Sequence, residues 1–175
     1  MNTTRQKQTG FTIVELLIVI VVIGILAAIT VVAFNGVQER ARKSKIDTDL
    51  SQIQKAINAA RINNDSALYG VYSYGAPEWA CTDKVSGTDL AALPKTTDQC
   101  WVRYNEFLNA VSEKSGMNIR NIVDPWGRPY YVNPNEDENQ TTHTCLKDQI
   151  GMYKQPFDKS RVNVINIPLY KASCA

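Results

Sequence analysis

Four cysteines are the residues of this chain whose type and spacing point most directly to a chemistry: Cys81, Cys100, Cys145 and Cys174. They are even in number and widely spaced, with no CxxC pair, and His143 is the only histidine, so a zinc site is weakly supported. We therefore predict two disulfides in an oxidising compartment. We favour Cys81–Cys100 and Cys145–Cys174, because each closes a loop of moderate length. All three pairings stay open, as does the alternative of four buried thiols.

A single acid, Glu15, stands near the start of an apolar stretch that runs to Phe34. A carboxylate at the centre of a membrane costs about 3 kcal/mol, so an intramembrane acid usually has a functional reason. In a helix Glu15 would lie only about 6 Å beyond Phe11, which lets the carboxylate stay near the lipid headgroups. We therefore expect a role for Glu15 that is tied to the Gly10–Phe11 junction before it.

The segment from Leu16 to Phe34 contains no charged residue. At about 1.5 Å per residue it spans about 28 Å, which matches the hydrocarbon core of a bilayer. No small-residue cleavage site follows it, so we interpret it as a retained anchor rather than a secretory signal. Its orientation is open, because basic residues flank both ends and the positive-inside count places the C-terminal part in the cytoplasm. The cysteines favour export of that part.

The helical pattern continues beyond the anchor as a narrow apolar stripe at steps of three and four residues, formed by Ile46, Leu50, Ile53, Ile57 and Ala60. We predict one helix from about residue 11 to residue 61, whose weak points are Gly24 and the Asn35–Gly36 pair. The second half of this helix should pack on a domain, whereas the first half requires lipid or other helices.

The remainder of the chain predicts a small α+β head. Residues 69–89 are rich in Gly, Tyr and Ser and are interpreted as a loop, residues 88–94 as a short helical turn, and residues 100–116 as a second amphipathic helix that ends at Gly116. Strands are predicted at residues 129–132, around 142–146, at 151–153 and at 162–169. The predicted fold class is α+β, with a long N-terminal helix packed on a small antiparallel sheet.

Catalytic chemistry is scarce in this sequence. No phosphate loop, catalytic carboxylate pair or metal-ligand cluster emerges, and no cysteine has a setting that suggests a reactive thiolate, so we predict no enzyme. Acidic side chains slightly outnumber basic ones from Asp65 onward, which disfavours nucleic acid as a partner of the head. Glu136, Asp137 and Glu138 form an acidic loop, which is interpreted as a solvated hairpin tip and only weakly as a calcium site.

The stretch KQTGFTIVELLIVIVVIGILAAI resembles the N-terminus of type IV prepilins and of the pseudopilins of type II secretion. The resemblance implies that a membrane peptidase cuts after Gly10 and then methylates the new amine on Phe11. It also implies that Glu15 pairs with the Phe11 amine of a neighbouring subunit during assembly. It further implies a cytoplasmic N-terminus and an exported head, which resolves the open orientation.

A second stretch, DPWGRPYYV at residues 124–132, is similar to a turn found in major pseudopilins. Its Pro125 and Gly127 are favourable turn residues by themselves, and we expect Asp124 to hold the turn by backbone hydrogen bonds while Trp126 packs under it. Pseudopilins with this turn often bind calcium in the following loop. The usual ligand-bearing sequence is absent from this chain, so the resemblance implies no firm metal site and no other cofactor.

These features predict a leader at residues 1–10, an anchor and filament core at 11–34, an amphipathic half-helix at 35–64 and a head at 65–175. The first hypothesis is a type IV pilus subunit that leaves the membrane and polymerises with other pilins through its apolar helix. Its other partners would be the prepilin peptidase, an inner-membrane assembly platform and, before assembly, membrane lipid. The alternative is a pseudopilin of a periplasmic pseudopilus for secretion or DNA uptake; a non-polymerising anchored ectodomain is third.

Overall fold

The computed structural model describes residues 10–72, 75–136 and 146–170, except for the side chains of residues 31–33 and 35. Its elements are α1 (Ile13–Asn64), α2 (Leu68–Val71), α3 (Pro77–Thr82), α4 (Gln99–Ser115), β1 (Tyr131–Asn133), β2 (Gln149–Tyr153) and β3 (Arg161–Asn166). The three strands form one antiparallel sheet, so the predicted α+β class is confirmed. The chain divides into two compact units, one ending at Lys43 and the other beginning at Ser44.

The long helix α1 is continuous over 52 residues. It passes through Gly24 and Gly36 without interruption, although both were predicted as weak points. The predicted apolar stripe is buried in the core of the second unit, where Ile53, Ile57 and Ala60 are fully shielded from solvent. Burial of a continuous stripe stabilises this half of α1 through packing, because helical propensity alone contributes little.

Helix α4 forms where the amphipathic pattern predicted it. The Asp98 side chain caps its start by accepting a hydrogen bond from the Cys100 backbone N–H at 2.9 Å. Gly116 ends it in the left-handed conformation with φ of 72°, which glycine adopts without a steric penalty. Tyr104, Phe107, Leu108 and Val111, the predicted buried face, all lie in the core.

Helix α3 was missed, because it lies within the loop predicted for residues 69–89, which also overlaps the last three residues of α2. Pro77 occupies the first turn of α3, where its missing N–H costs nothing. A disulfide between Cys81 and Cys100 joins α3 to α4 and is the first of the two pairings we favoured. The short helical turn predicted at residues 88–94 consists of turns without a helix.

The sheet has the order β1-β2-β3, so β2 is central and β3 lies at an edge. The sequence of β3 alternates apolar residues with Asn, a pattern that is typical of a strand with one buried face. Val162 and Val164 are instead exposed, and Ile167 beyond the strand is buried. The reason is an irregular register opposite Ile150 and Met152, together with a positive φ of 53° at Asn163, which breaks the alternation of side chains.

The DPWG turn is held as predicted by the Asp124 carboxylate. Its Oδ1 atom accepts hydrogen bonds from the backbone N–H groups of Trp126 and Arg128, both at 2.9 Å, and Gly127 has a φ of 78°. The Arg128 side chain donates from Nε to Oδ2 at 2.7 Å. Trp126 does not pack under the turn. Its ring is 47% exposed, and the Arg128 guanidinium lies 4.7 Å from the ring centre.

Candidate assembly site

The first half of α1 exposes apolar side chains around its whole circumference. The window Ile13–Thr30 is long and apolar enough to cross a membrane, and none of its residues is buried. Thr30, the one hydroxyl in the middle of this half, donates its hydrogen to the carbonyl oxygens of Leu26 and Ala27 at 3.0 and 2.9 Å. The exposed surface of this segment is therefore almost purely apolar, and it is suited to contact lipid or the same segment of other subunits.

The start of α1 is a reciprocal capping box between Thr12 and Glu15. The Glu15 backbone N–H donates to the Thr12 hydroxyl at 3.2 Å. In return the Glu15 Oε2 atom accepts from the Thr12 backbone N–H at 2.8 Å and from its hydroxyl at 2.7 Å. Two backbone donors at the helix start are thus satisfied by side chains. The acid within the apolar segment has a local structural function before any assembly.

The geometry leaves Glu15 able to accept a further donor. Both of its hydrogen bonds from Thr12 end on Oε2, and within the described residues Oε1 accepts none. The carboxylate also lies in the first turn of α1, at the positive end of the helix dipole. A carboxylate fixed in this way is suited to receive an ammonium group from outside the subunit.

The predicted processing junction is open on the structure. Phe11 is 91% exposed, and a side chain added at Gly10 would meet no atom within 4 Å. An enzyme can therefore reach the Gly10–Phe11 peptide bond without displacing any described part of the chain. The first turn of α1 begins only two residues later, so a new amine on Phe11 would lie directly before the capping box.

A second group of polar side chains lies in the head, and of its members sequence reasoning had singled out only Glu136. Arg61 near the end of α1 is buried and forms ion pairs with Asp148 and with Glu136, a residue of the predicted acidic loop. Burial raises the pKa of Asp148, and the nearby Arg61 guanidinium opposes that rise. The sequence around Arg61 does not indicate that its side chain is buried, because the acidic partners of Arg61 lie far along the chain.

These contacts bear directly on the weak prediction that Glu136 binds calcium. Both oxygens of Glu136 accept the backbone N–H of Tyr170 at 2.9 Å, and Oε2 also faces Arg61 at 3.4 Å. The Glu136 carboxylate is therefore already engaged and does not fit a calcium ligand. Among the described residues, no group of three or more His, Cys, Asp or Glu side chains could hold a metal ion.

Other predicted site residues lie outside the part of the chain that the structure describes. They are Asp137, Glu138, His143, Cys145 and Cys174. The pairing of Cys145 with Cys174 and a calcium role for the two acids stay predictions.

Comparison with known proteins finds matches to the N-terminal segment and to about three quarters of the chain. Residues 5–31 match the family model of the prokaryotic N-terminal methylation motif, a range that includes Gly10, Phe11 and Glu15. The type II secretion system core protein G of Escherichia coli K12 is 30% identical over 131 residues, which cover 74% of this chain and 75% of that protein. The chain belongs to the core protein G family.

Other core protein G sequences give the same result. That of Vibrio cholerae is 29% identical over 132 residues, covering 75% of each chain, and that of Aeromonas hydrophila is 27% identical over 129 residues, covering 73% of this chain and 74% of its own. No solved structure matches. The resemblance to the pilin and pseudopilin family is confirmed, and core protein G is a major pseudopilin, a structural subunit from a family that is not one of enzymes. The relatives favour the pseudopilin alternative over the type IV pilus subunit that we placed first.

Proposed function

We propose that this chain is the pseudopilin subunit of a type II secretion system. The single observation that carries the proposal is its similarity to core protein G proteins over about three quarters of both chains. The fully exposed apolar half of α1 supports it, because such a surface needs lipid before assembly and other subunits afterwards. The proposed activity is mechanical and structural, with no catalysed reaction.

In this proposal the subunit is first processed and held in the inner membrane, before assembly. A prepilin peptidase removes Met1–Gly10 and methylates Phe11, and α1 stays as a single span with its N-terminus in the cytoplasm. The Cys81–Cys100 disulfide supports an exported head, since such bonds persist in oxidising compartments. Lys45 also supports an exported head. Its ammonium group pairs with Asp49 and donates to the Val123 carbonyl, so it contributes to the folded head and counts less as a positive charge that would keep this end in the cytoplasm.

Assembly would follow by head-to-tail repetition of one interface, which yields an open helical polymer. The assembly platform of the inner membrane would lift each subunit out of the lipid. The Phe11 amine of one subunit would meet Glu15 of its neighbour, where Oε1 is placed to accept it while Oε2 stays on Thr12. A charge-assisted hydrogen bond in an apolar surrounding is strong and directional, so it would select the axial stagger of the subunits.

Two measurements test the proposal in the native bacterium. Intact-mass analysis of the membrane form should show a chain that starts at Phe11 and carries one added methyl group. Deletion of the gene should stop secretion of type II substrates and leave surface pili unchanged, and the wild-type gene should restore secretion. Loss of surface pili with normal secretion would instead make the chain a pilus subunit, and an uncut chain would refute both forms of polymer.

A matched pair of variants tests the assembly interface. Glu15→Leu should be made, cut and inserted normally yet fail to form pseudopili or support secretion. Glu39→Leu removes an exposed acid from the same helix outside the apolar segment and should behave as wild type. Normal assembly of the Glu15 variant would contradict the proposed amine pairing while leaving the pseudopilin proposal intact.

A further inference from the structure

The guanidinium group of Arg61 is a buried cation that lies where four segments of the head meet. Arg61 is 2% exposed, and the side chains of Glu136 and Asp148 that face it are 0% exposed. The guanidinium nitrogen Nη2 contacts both carboxylates, and Nη1 donates to the Pro168 carbonyl at 2.8 Å. The segments joined are the end of α1, the loop after β1, the residues before β2 and the C-terminal segment.

The two carboxylates are fixed by the backbone as well as by Arg61. Asp148 Oδ1 accepts the N–H groups of Asn135 and Glu136 at 2.6 and 2.8 Å. Glu136 in turn accepts the N–H of Tyr170 with both oxygens. These hydrogen bonds need acceptor oxygens at defined places, and they hold two acidic groups close together in a site shielded from solvent. Like charges in such a setting repel strongly unless a cation lies between them.

We propose that the Arg61 guanidinium is the structural cation of this head, so that the head reaches full stability with no bound divalent cation. The role is the one that a metal ion plays when it binds an acidic loop: it neutralises the carboxylates and ties their segments together. Among the described residues, the oxygens of Glu136 and Asp148 that a divalent ion at this place would use already face Arg61 or accept from backbone N–H groups. This inference goes beyond the proposed function, because it holds for whichever filament the subunit forms.

The first test uses the unmodified full chain in nonionic detergent. Its thermal unfolding midpoint is measured in excess chelator and again with about 1 mM calcium chloride, a concentration that fills extracellular calcium sites. The two midpoints should agree to within about 1 °C, which corresponds to less than ~0.5 kcal/mol for a chain of this size. A midpoint that rises by several degrees with calcium would overturn the proposal.

The second test removes the charge. Arg61→Met keeps most of the side-chain volume but removes the cation that faces two buried carboxylates, and the midpoint should fall by roughly 10 °C. The triple variant Arg61→Met, Glu136→Gln, Asp148→Asn keeps an acceptor oxygen at each acid position and removes both charges. It should recover at least half of the loss.

The matched control is Arg103→Met, which breaks an ion pair with Glu106 on the surface and should shift the midpoint by no more than about 2 °C. If Arg61→Met does not fold, folding of the triple variant alone supports the proposal. A triple variant that is no more stable than Arg61→Met would show that shape, rather than charge, is what Arg61 supplies, and would overturn it.

Discussion

The Tyr130 hydroxyl donates a hydrogen bond to Asp49 Oδ2 at 2.7 Å, and this bond joins the residue before β1 to the buried side of α1. Asp49 also pairs with Lys45 one turn earlier on the helix. Tyr153, another buried tyrosine of the head, has a hydroxyl for which the described residues provide no hydrogen-bond partner. These two tyrosines differ in their polar contacts while both rings are packed in the core.

The first prediction follows from that difference. Tyr130→Phe should lower the free energy of unfolding by about 1.5–3 kcal/mol, because it removes a hydrogen bond to a charged, mostly buried acceptor. Tyr153→Phe should be neutral or stabilise by up to about 1 kcal/mol, because it removes a buried hydroxyl without a partner. Chemical denaturation of both full-length variants, measured side by side, checks the contrast. Equal losses would contradict it.

The second prediction concerns alkaline pH. Burial raises the pKa of Tyr72 to about 12, and it also raises the pKa of Tyr104, Tyr130, Tyr131 and Tyr153. A pKa raised in the folded state means stability that is complete below the unfolded value of about 10 and is lost as the pH rises through the folded values. The head should therefore unfold cooperatively above about pH 11.

Ultraviolet absorbance of tyrosinate checks this behaviour. Most tyrosines should ionise together with the loss of tertiary structure, while the urea-unfolded chain should titrate near pH 10. Gradual ionisation near pH 10 in the folded chain would contradict the burial that we describe.

The third prediction concerns the disulfide. The double variant Cys81→Ala, Cys100→Ala should lose about 3 kcal/mol of stability, because the bond closes a loop of 19 residues in the unfolded chain. Peptide mapping of the unreduced protein should recover the Cys81–Cys100 link and a second link between Cys145 and Cys174. A mixed pairing, or free thiols at the second pair, would refute that part of the prediction.

The fourth prediction concerns the capping box. Thr12→Val keeps the branched shape of the side chain but removes the hydroxyl that both accepts from and donates to Glu15. The first-turn amides should then exchange with solvent roughly fivefold faster in detergent micelles, which corresponds to a cap worth about 1 kcal/mol. Thr12→Ser restores the hydroxyl and should restore slow exchange. Unchanged exchange in Thr12→Val would show that Glu15 is held by another contact.

The fifth prediction concerns the DPWG turn. Asp124→Ala removes the acceptor of two backbone N–H groups and leaves the buried Arg128 guanidinium without its ion pair. We expect a loss of about 3 kcal/mol by thermal unfolding. Asp89→Ala removes one exposed backbone contact, from Ala91 N–H, and should cost less than about 1 kcal/mol. Similar losses in both would contradict the structural role of Asp124.

Local patterns explain why much of the fold could be predicted from sequence. The buried stripe of α1 and the face of α4 repeat at helical spacing, and Gly116 marks a helix end, so these elements needed no knowledge of distant residues. Asp124 was predicted as the centre of its turn for the same reason. Helix α3 escaped because its six residues lie in a stretch whose Gly, Tyr and Ser content is typical of loops.

Long-range contacts explain what was missed. Arg61 appeared to be an ordinary polar helix end, and only folding brings Glu136 and Asp148 to it. The exposed valines of β3 depend on a register irregularity in the neighbouring strand, and the half-exposed Trp126 depends on an arginine that shields one ring face. At the assembly site, the Thr12–Glu15 spacing of a capping box was present in the sequence. It was overlooked because Glu15 was interpreted through the apolar segment and the Gly10–Phe11 junction, and not as part of a helix cap.

The uniformly apolar surface of the first half of α1 affects how this helix can be oriented by rotation about its own axis. A cylinder that is equally apolar on every side gains the same free energy from lipid, or from neighbours, at any rotation about its axis. From Thr12 to Thr30 the polar side chains are Thr12, Glu15 and Thr30, and Thr30 turns its hydroxyl back onto its own helix. In the proposed pseudopilus, the Thr12–Glu15 pair at one tip would therefore be the polar feature of this segment that distinguishes one rotation of the helix from another, and it would bias the angle at which each subunit adds to the next.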